Sequence, residues 1–127
     1  DRPVAHLSMG NPHSVVGVAE VGVVDLADLG GKVPQINLEI VEPGPELHGI
    51  TMRVHERGAG ITQACGTGAC AAAFAAKQWG LVKADADEVF VHMDGGTASV
   101  SFDADRPSRA ILTGPATYIA TIEVPLT

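Results

Sequence analysis

The sequence predicts an α+β domain in which about eight strands, mixed and largely antiparallel, wrap around one buried central helix. Two observations lead to this fold. Every residue from Gly68 to Phe74 is small or apolar, so a helix here has no face suited to water and must be surrounded. Most of the remaining chain consists of short apolar or β-branched runs separated by turn-forming residues. The 127 residues suit a single domain, residues 1–127.

The strands follow from the alternation of apolar and polar residues and from the turns between the runs. In the fourth run Ile50, Met52 and Val54 alternate with polar residues, which indicates one buried and one wet face. The turn at residues 94–96 joins two runs into the clearest hairpin of the sequence. The predicted strands are 4–9, 14–18, 37–41, 50–55, 88–93, 97–103, 110–113 and 117–124.

Two helices are predicted from their end signals. Asp25 is a suitable N-cap for a short helix that stops at Gly30 and Gly31. The central helix starts after Cys65 and stops at Gly80.

Composition excludes several classes of function. A net charge of −7 without a cluster of basic residues argues against nucleic acid. No apolar stretch approaches the roughly 20 residues that span a bilayer, so no membrane segment is expected. The spacing of Cys and His residues matches no metal motif, so no metal is expected. Cys65 and Cys70 lie on different sides of the predicted helix, which disfavours a disulfide between them. Reduced thiols suggest a cytoplasmic protein, and Cys70 is interpreted as a packing residue.

Cys65 at the start of the central helix is the main candidate for chemistry. The helix dipole and the N–H groups of Gly66, Thr67 and Gly68 are expected to lower the thiol pKa, and they could also hold a substrate carboxylate. An acid beside such a loop is suited to moving a proton alpha to a carboxylate. The alternative is a small buried hydrophobe, which is the usual role of a lone cysteine.

Two polar clusters accompany the cysteine. Residues 10–13 place Asn11 and His13 in one tight loop, and residues 55–58 place Glu56 and Arg57 at the end of a strand that leads to the cysteine. Each cluster has a structural alternative, because the first could only close a turn and the second could be a solvated ion pair.

With Met9-Gly-Asn-Pro-His13, Glu56-Arg-Gly-Ala-Gly60 and Ala64-Cys-Gly-Thr-Gly-Ala-Cys-Ala71 in this order, the chain resembles the C-terminal half of diaminopimelate epimerases. The resemblance implies interconversion of LL- and meso-diaminopimelate in lysine and peptidoglycan synthesis, without pyridoxal phosphate, another cofactor or a metal. It also implies a two-domain enzyme in which two cysteines, one per domain, act on opposite faces of the alpha carbon.

The resemblance assigns roles to particular residues of this chain. Cys65 matches the second catalytic cysteine, and His13 and Glu56 would tune the thiols. The groups expected to hold the ammonium and carboxylate groups of the amino-acid substrate are those of Asn11, Asn37, Glu56, Arg57, Gly66 and Thr67.

The chain departs from the family pattern at three places. Ile61 stands where the family usually has Glu, and residues 30–37 form a shorter loop. The N-terminal half with the other cysteine is absent, so we expect the chain to be inactive alone, to need that half as a partner and to self-associate, as in a homodimer. Two alternatives remain open: a related racemase or isomerase of the proline racemase or phenazine type, and a carboxylate-binding domain without turnover.

Overall fold

The computed structural model describes residues 2–126 and contains one mixed sheet and two α-helices. A 3₁₀ turn at Val21–Val23 precedes the first helix. In chain order the elements are β1 (Val4–Ser8), β2 (Pro12–Gly17), α1 (Leu26–Lys32), β3 (Asn37–Pro43), β4 (Gly49–Glu56), β5 (Gly60–Thr62), α2 (Gly66–Gln78), β6 (Glu88–Met93), β7 (Gly96–Phe102) and β8 (Ala110–Thr113).

The sheet runs in the order β1-β2-β3-β4-β6-β7-β8, and β5 pairs with the end of β4. Two neighbouring pairs, β2 with β3 and β4 with β6, are parallel, and the other pairs are antiparallel. Parallel neighbours need a crossover connection. The segment with α1 makes the first crossover, and the segment with β5 and α2 makes the second. The predicted mixed sheet is therefore confirmed.

The sheet curls around α2, which contacts every strand except β5. The alanines of the helix, among them Ala72 and Ala76, are 0% exposed. Their small side chains let the strands approach the helix from several sides, while Phe74 extends to Phe102 on β7 and makes an edge-to-face contact with it. The prediction of a central helix without a wet face is confirmed.

A smaller core lies on the opposite face of the sheet, under α1. Leu26 of the helix joins Leu38 and Ile40 of β3 in this cluster, while Val41 belongs to the main core around α2. Strand β3 is thus buried on both faces, which is why its first five residues are all buried. Asp25 caps α1 as predicted, with Oδ1 accepting a hydrogen bond from the Asp28 N–H at 3.1 Å.

The prediction of a strand at residues 117–124 is wrong. Within the described chain this segment has no strand partner, and the side chains of Tyr118, Ile119 and Ile122 are exposed. An alternating sequence favours a strand, but a strand forms only beside another one. The eighth strand is instead β5, which the sequence did not reveal because it has three residues and starts at Gly60 with φ +77°.

Helix α1 also differs from its predicted end. It continues through Gly30 and Gly31 and ends at Lys32, with Val33 as its C-cap. Gly30 lies against the ring of His55, and a Cβ there would be 2.1 Å from the ring Cγ. This glycine therefore permits close packing of α1 on β4 and does not stop the helix.

None of the helices between residues 2 and 126 has both the length and the apolar character needed to cross a bilayer.

Candidate active site

Cys65 is the N-cap residue of α2 and has an extended backbone conformation. Its Sγ accepts a hydrogen bond from the Gly68 N–H at 3.3 Å, so the sulfur takes the place that a Ser or Asp oxygen usually has at a helix start. The residue is 8% exposed. The N–H groups of Gly66 and Thr67 lie in the same first turn, where a helix offers no internal acceptor.

A cleft of about 640 Å³ opens at this end of the helix. It brings together four of the residues predicted from the sequence, namely Cys65, Glu56, Gly66 and Thr67. The residues that line it are Met9, Glu56, Ala64, Cys65, Gly66, Thr67, Cys70, Ala110 and Leu112. The loop after β4 and the start of α2 therefore meet, as the short glycine-rich connection between them indicated.

Cys70 packs against the main core as predicted, but it also reaches the cleft of Cys65. A packing role does not keep Cys70 out of the cleft, because a residue in the second turn of α2 still borders the open end of the helix. Both cysteines are free thiols.

Glu56 ends β4, and its Oε2 accepts a hydrogen bond from the hydroxyl of Thr62 on β5. This bond fixes the carboxylate at the rim of the cleft. The next residue, Arg57, is exposed, and its backbone N–H donates to Oδ1 of Asn37 at 2.9 Å. The Arg57 side chain is thus available to solvent, while its backbone is anchored.

Asn37 connects the loop of residues 10–13 to the loop that follows β4. It is 4% exposed, and besides accepting from Arg57 it donates from Nδ2 to the carbonyl of Pro12 at 3.0 Å. Both ends of its amide are therefore engaged within the chain. The geometry gives Asn37 a positioning role, and direct contact with a substrate stays a prediction.

His13 and Asn11 connect to the cysteine through Thr67. His13 Nε2 lies 3.0 Å from Asn11 Oδ1, and Asn11 Nδ2 donates to Thr67 Oγ1 at 3.4 Å. Thr67 Oγ1 is 3.7 Å from the Sγ of Cys65. Because His13 is buried and reaches the thiol only through these neighbours, any influence on the cysteine is indirect.

The electrostatics of Cys65 contradict the expectation of a lowered pKa. Burial raises the pKa of the Cys65 thiol above its ordinary value, and this outweighs the hydrogen bonds from the Gly68 N–H and Thr67, which lower it. A negative charge on Glu56 or on Glu39 raises the pKa of the thiol further. Loss of water and nearby carboxylates here outweigh the start of the helix.

Glu39 is a site residue that the sequence reasoning missed. It lies in β3, is 0% exposed, and its Oε1 is 2.6 Å from Nδ1 of His13. Burial raises the pKa of the Glu39 carboxyl, and the hydrogen bond with His13 offsets part of this. The signal was present, because a Glu between Leu38 and Ile40 in an otherwise apolar strand indicates a buried carboxyl group.

The replacement at Ile61 leaves an apolar side chain on β5 that is 40% exposed and does not line the cleft. Across residues 2–126 no group of three or more His, Cys, Asp or Glu side chains is arranged to hold a metal ion.

Comparison with known proteins first defines the class. A Bacillus anthracis phenazine biosynthesis protein of the PhzF family matches with a TM-score of 0.66 at 19% identity, over 86% of this chain and 38% of that one. A half-barrel around a central helix is therefore the fold of both, and this chain has one such half-barrel.

The sequence comparisons then give the family. The diaminopimelate epimerase family model matches residues 5–119, and the chain belongs to this family. The diaminopimelate epimerase of Magnetococcus marinus is 45% identical over 121 residues, 89% of this chain and 41% of that protein. The Bacillus subtilis enzyme is 42% identical over 119 residues, 87% and 40% of the two chains. The chain thus spans about two fifths of the length of these relatives.

Proposed function

We propose that the chain forms one face of the active site of a diaminopimelate epimerase, with Cys65 as the acid and base on that face. The observation that carries this proposal is the position of Cys65, whose sulfur caps α2 and borders a cleft with Glu56, Gly66 and Thr67. A merely structural cysteine is usually enclosed by apolar neighbours, whereas Cys65 borders an open cleft.

The reaction needs one thiolate and one thiol on opposite faces of the substrate. The thiolate takes the proton from the alpha carbon and becomes a thiol, and the electron pair stays on the carbon next to the carboxylate. The thiol on the other face gives its proton to that carbon, which inverts the centre and leaves a thiolate. Since burial raises the Cys65 pKa, Cys65 rests as the thiol and is the proton donor of this pair in the first turnover.

The substrate carboxylate is held by the first N–H groups of α2 at Gly66 and Thr67, where an anion is favoured. The exposed Arg57 adds a positive charge to the same side. Glu56, fixed by Thr62, accepts from the substrate ammonium group. Asn11 offers its amide beside Thr67, and Asn37 keeps the two loops in register.

The second cysteine comes from another part of the enzyme, which we place in the N-terminal half implied by the family. Cys70 does not replace it, because it follows Cys65 by five residues on the same helix and borders the same side of the cleft. The reaction uses no pyridoxal phosphate and no metal. Two free thiols fit a reducing compartment, so we place the enzyme in the cytoplasm.

The test compares this chain alone with the longer protein that also carries the N-terminal half. Each is incubated with LL-diaminopimelate in D₂O, and deuterium at the alpha carbon is measured together with the meso product. We expect turnover only in the longer protein. Cys65→Ala should lower its rate at least about 100-fold, since a positioned acid or base contributes that much. Cys70→Ala, the matched loss of a thiol, should have a much smaller effect.

Turnover by this chain alone would contradict the need for a second half. Full activity of the Cys65→Ala protein would contradict the role of Cys65. Exchange on proline or hydroxyproline in place of diaminopimelate would assign the chain to a related racemase.

A further inference from the structure

Glu39 takes no part in the reaction described above. Its carboxyl group lies in the main core near the start of α2, and a Cβ on Gly68 would be 2.7 Å from Oε1 of Glu39 and 3.1 Å from the Sγ of Cys65. Oε1 contacts His13, whereas Oε2 has no hydrogen-bond partner within residues 2–126. A carboxyl group in such a place is costly unless it is neutral or paired.

The contacts of His13 determine where its protons are. Oδ1 of Asn11 can only accept a hydrogen bond, so the Nε2 of His13 that faces it at 3.0 Å must carry a proton. Two arrangements then remain for the contact of 2.6 Å between Nδ1 and Oε1 of Glu39. Either an imidazolium donates to a carboxylate, or a protonated Glu39 donates to a neutral imidazole. In both arrangements one proton lies between the two atoms, and the pair has no net charge.

The pair is shielded from most other charges. Within residues 2–126, Glu56 at the end of β4 is the one titratable group besides His13 that acts on Glu39, and Glu39 in turn acts on the Cys65 thiol at the N-cap of α2. A second negative charge at this position would oppose any thiolate that forms on Cys65. A neutral pair avoids that conflict.

We propose that Glu39 is a positioning residue that shares one proton with His13 and so keeps Nε2 of His13 as a hydrogen-bond donor toward Asn11. With its oxygen held by His13, the Asn11 amide points its Nδ2 at Thr67, and the Thr67 hydroxyl stays beside the Cys65 thiol. A buried contact on β3 thereby orients Asn11 and, through it, the Thr67 hydroxyl, which lines the cleft. This proposal rests on the proposed function for its effect on catalysis, although the proton arrangement does not.

The first experiment needs no activity. The chain is labelled with ¹⁵N-histidine, and the His13 resonances are recorded by NMR at neutral pH. We expect a proton bound to Nε2 and a strongly downfield proton at the contact of Nδ1 with Glu39. That downfield proton should disappear in both Glu39→Leu and Glu39→Gln. In Glu39→Gln an amide N–H donates to Nδ1 of His13, so the proton on Nε2 should remain. A bare Nε2, or a downfield proton that persists in both variants, would overturn the proposal.

The second experiment measures kcat and KM of the longer protein per folded molecule. We expect Glu39→Leu to lower kcat/KM by about 10- to 100-fold, since misplaced binding groups cost that much, and Glu39→Gln to recover most of this loss. The control is Val41→Ala, a packing change two residues further along β3 in the same core, which should leave kcat/KM per folded molecule unchanged.

The two experiments separate the possible failures. Equal losses in Glu39→Leu and Val41→Ala would reduce Glu39 to a packing residue and overturn the proposal. If the NMR result is as expected but the longer protein has no epimerase activity, the proton arrangement is supported and the proposed function is contradicted.

Discussion

At the scale of single residues, the site sets two physical effects against each other on one sulfur atom. The N-cap position offers Cys65 a hydrogen bond from the Gly68 N–H, which favours the thiolate. Burial favours the thiol, the carboxylate of Glu56 adds to this, and together they prevail. The sequence shows the first effect directly, because the glycines and the helix start are adjacent to the cysteine. It does not show the second, because burial depends on strands far away in the chain.

The first prediction concerns the reactivity of this thiol. In a Cys70→Ala background, alkylation of Cys65 by iodoacetamide should be slow at pH 7, and its rate should rise only above about pH 9. The reason is that the pKa of Cys65 in the folded chain lies above the ordinary thiol pKa of about 9. The rate is measured by mass spectrometry against pH. Cys65→Ala, Cys70→Ala provides the blank. A rate that reaches its plateau below pH 8 would show an activated thiolate and contradict this result.

The other site residues also divide into those that the local sequence reveals and those that only the folded structure reveals. Cys65, Glu56, Gly66 and Thr67 meet at the cleft because a short stretch of chain carries all four. Glu39 was missed because its partner His13 lies 26 residues away and joins it only through the pairing of β2 with β3. Local motifs therefore predicted the rim of the site, and the buried support beneath it required the register of the sheet.

At the scale of elements, most strands and both helices were predictable because their patterns are local. The hairpin of β6 and β7 has the predicted turn, and α2 has the predicted start and stop. Residues 117–124 show where this reasoning fails. Their alternation is that of a strand, yet the described chain places no partner beside them. The predicted end of α1 fails for another reason. A glycine can end a helix or allow a neighbouring side chain to pack closely, and only the position of the His55 ring shows which role Gly30 has.

The second prediction uses these two adjacent glycines. Gly30→Ala places a Cβ into the ring of His55 and should lower the free energy of unfolding by about 1–3 kcal/mol, as overpacking does. Gly31→Ala meets no atom within 4 Å and should raise it by about 0.5–1 kcal/mol, because alanine is the better helix former. Urea unfolding measures both. Shifts of the same sign would contradict the packing of α1 on β4.

At the scale of the whole molecule, two thiols make the free energy of unfolding depend on pH in the alkaline range. Burial raises the pKa of both Cys65 and Cys70, and the charge of Cys65 raises that of Cys70 further. At a pH above the ordinary pKa of a thiol, the unfolded chain has lost protons that the folded chain still binds. Their contribution to stability is therefore complete below about pH 9 and is lost as the pH rises through the folded pKa values.

The third prediction follows from this linkage. The free energy of unfolding should fall between pH 8 and pH 10.5, and it should fall less steeply in the Cys65→Ala, Cys70→Ala protein. The two slopes are compared by urea unfolding at several pH values, so the different starting stabilities of the proteins do not matter. Parallel slopes would mean that neither thiol keeps its proton longer in the folded state than in the unfolded chain.

The enclosure of α2 has a consequence for how the molecule opens. A helix that seven strands cover cannot fray into water at its middle while the sheet remains curled around it. The amide hydrogens of residues 71–76 should therefore exchange with deuterated solvent only when the whole chain unfolds, and they report its global stability. The cleft lies at one end of this most protected segment. Movements that admit a substrate must then occur in the loops facing the helix, while the cysteine itself stays on a fixed support.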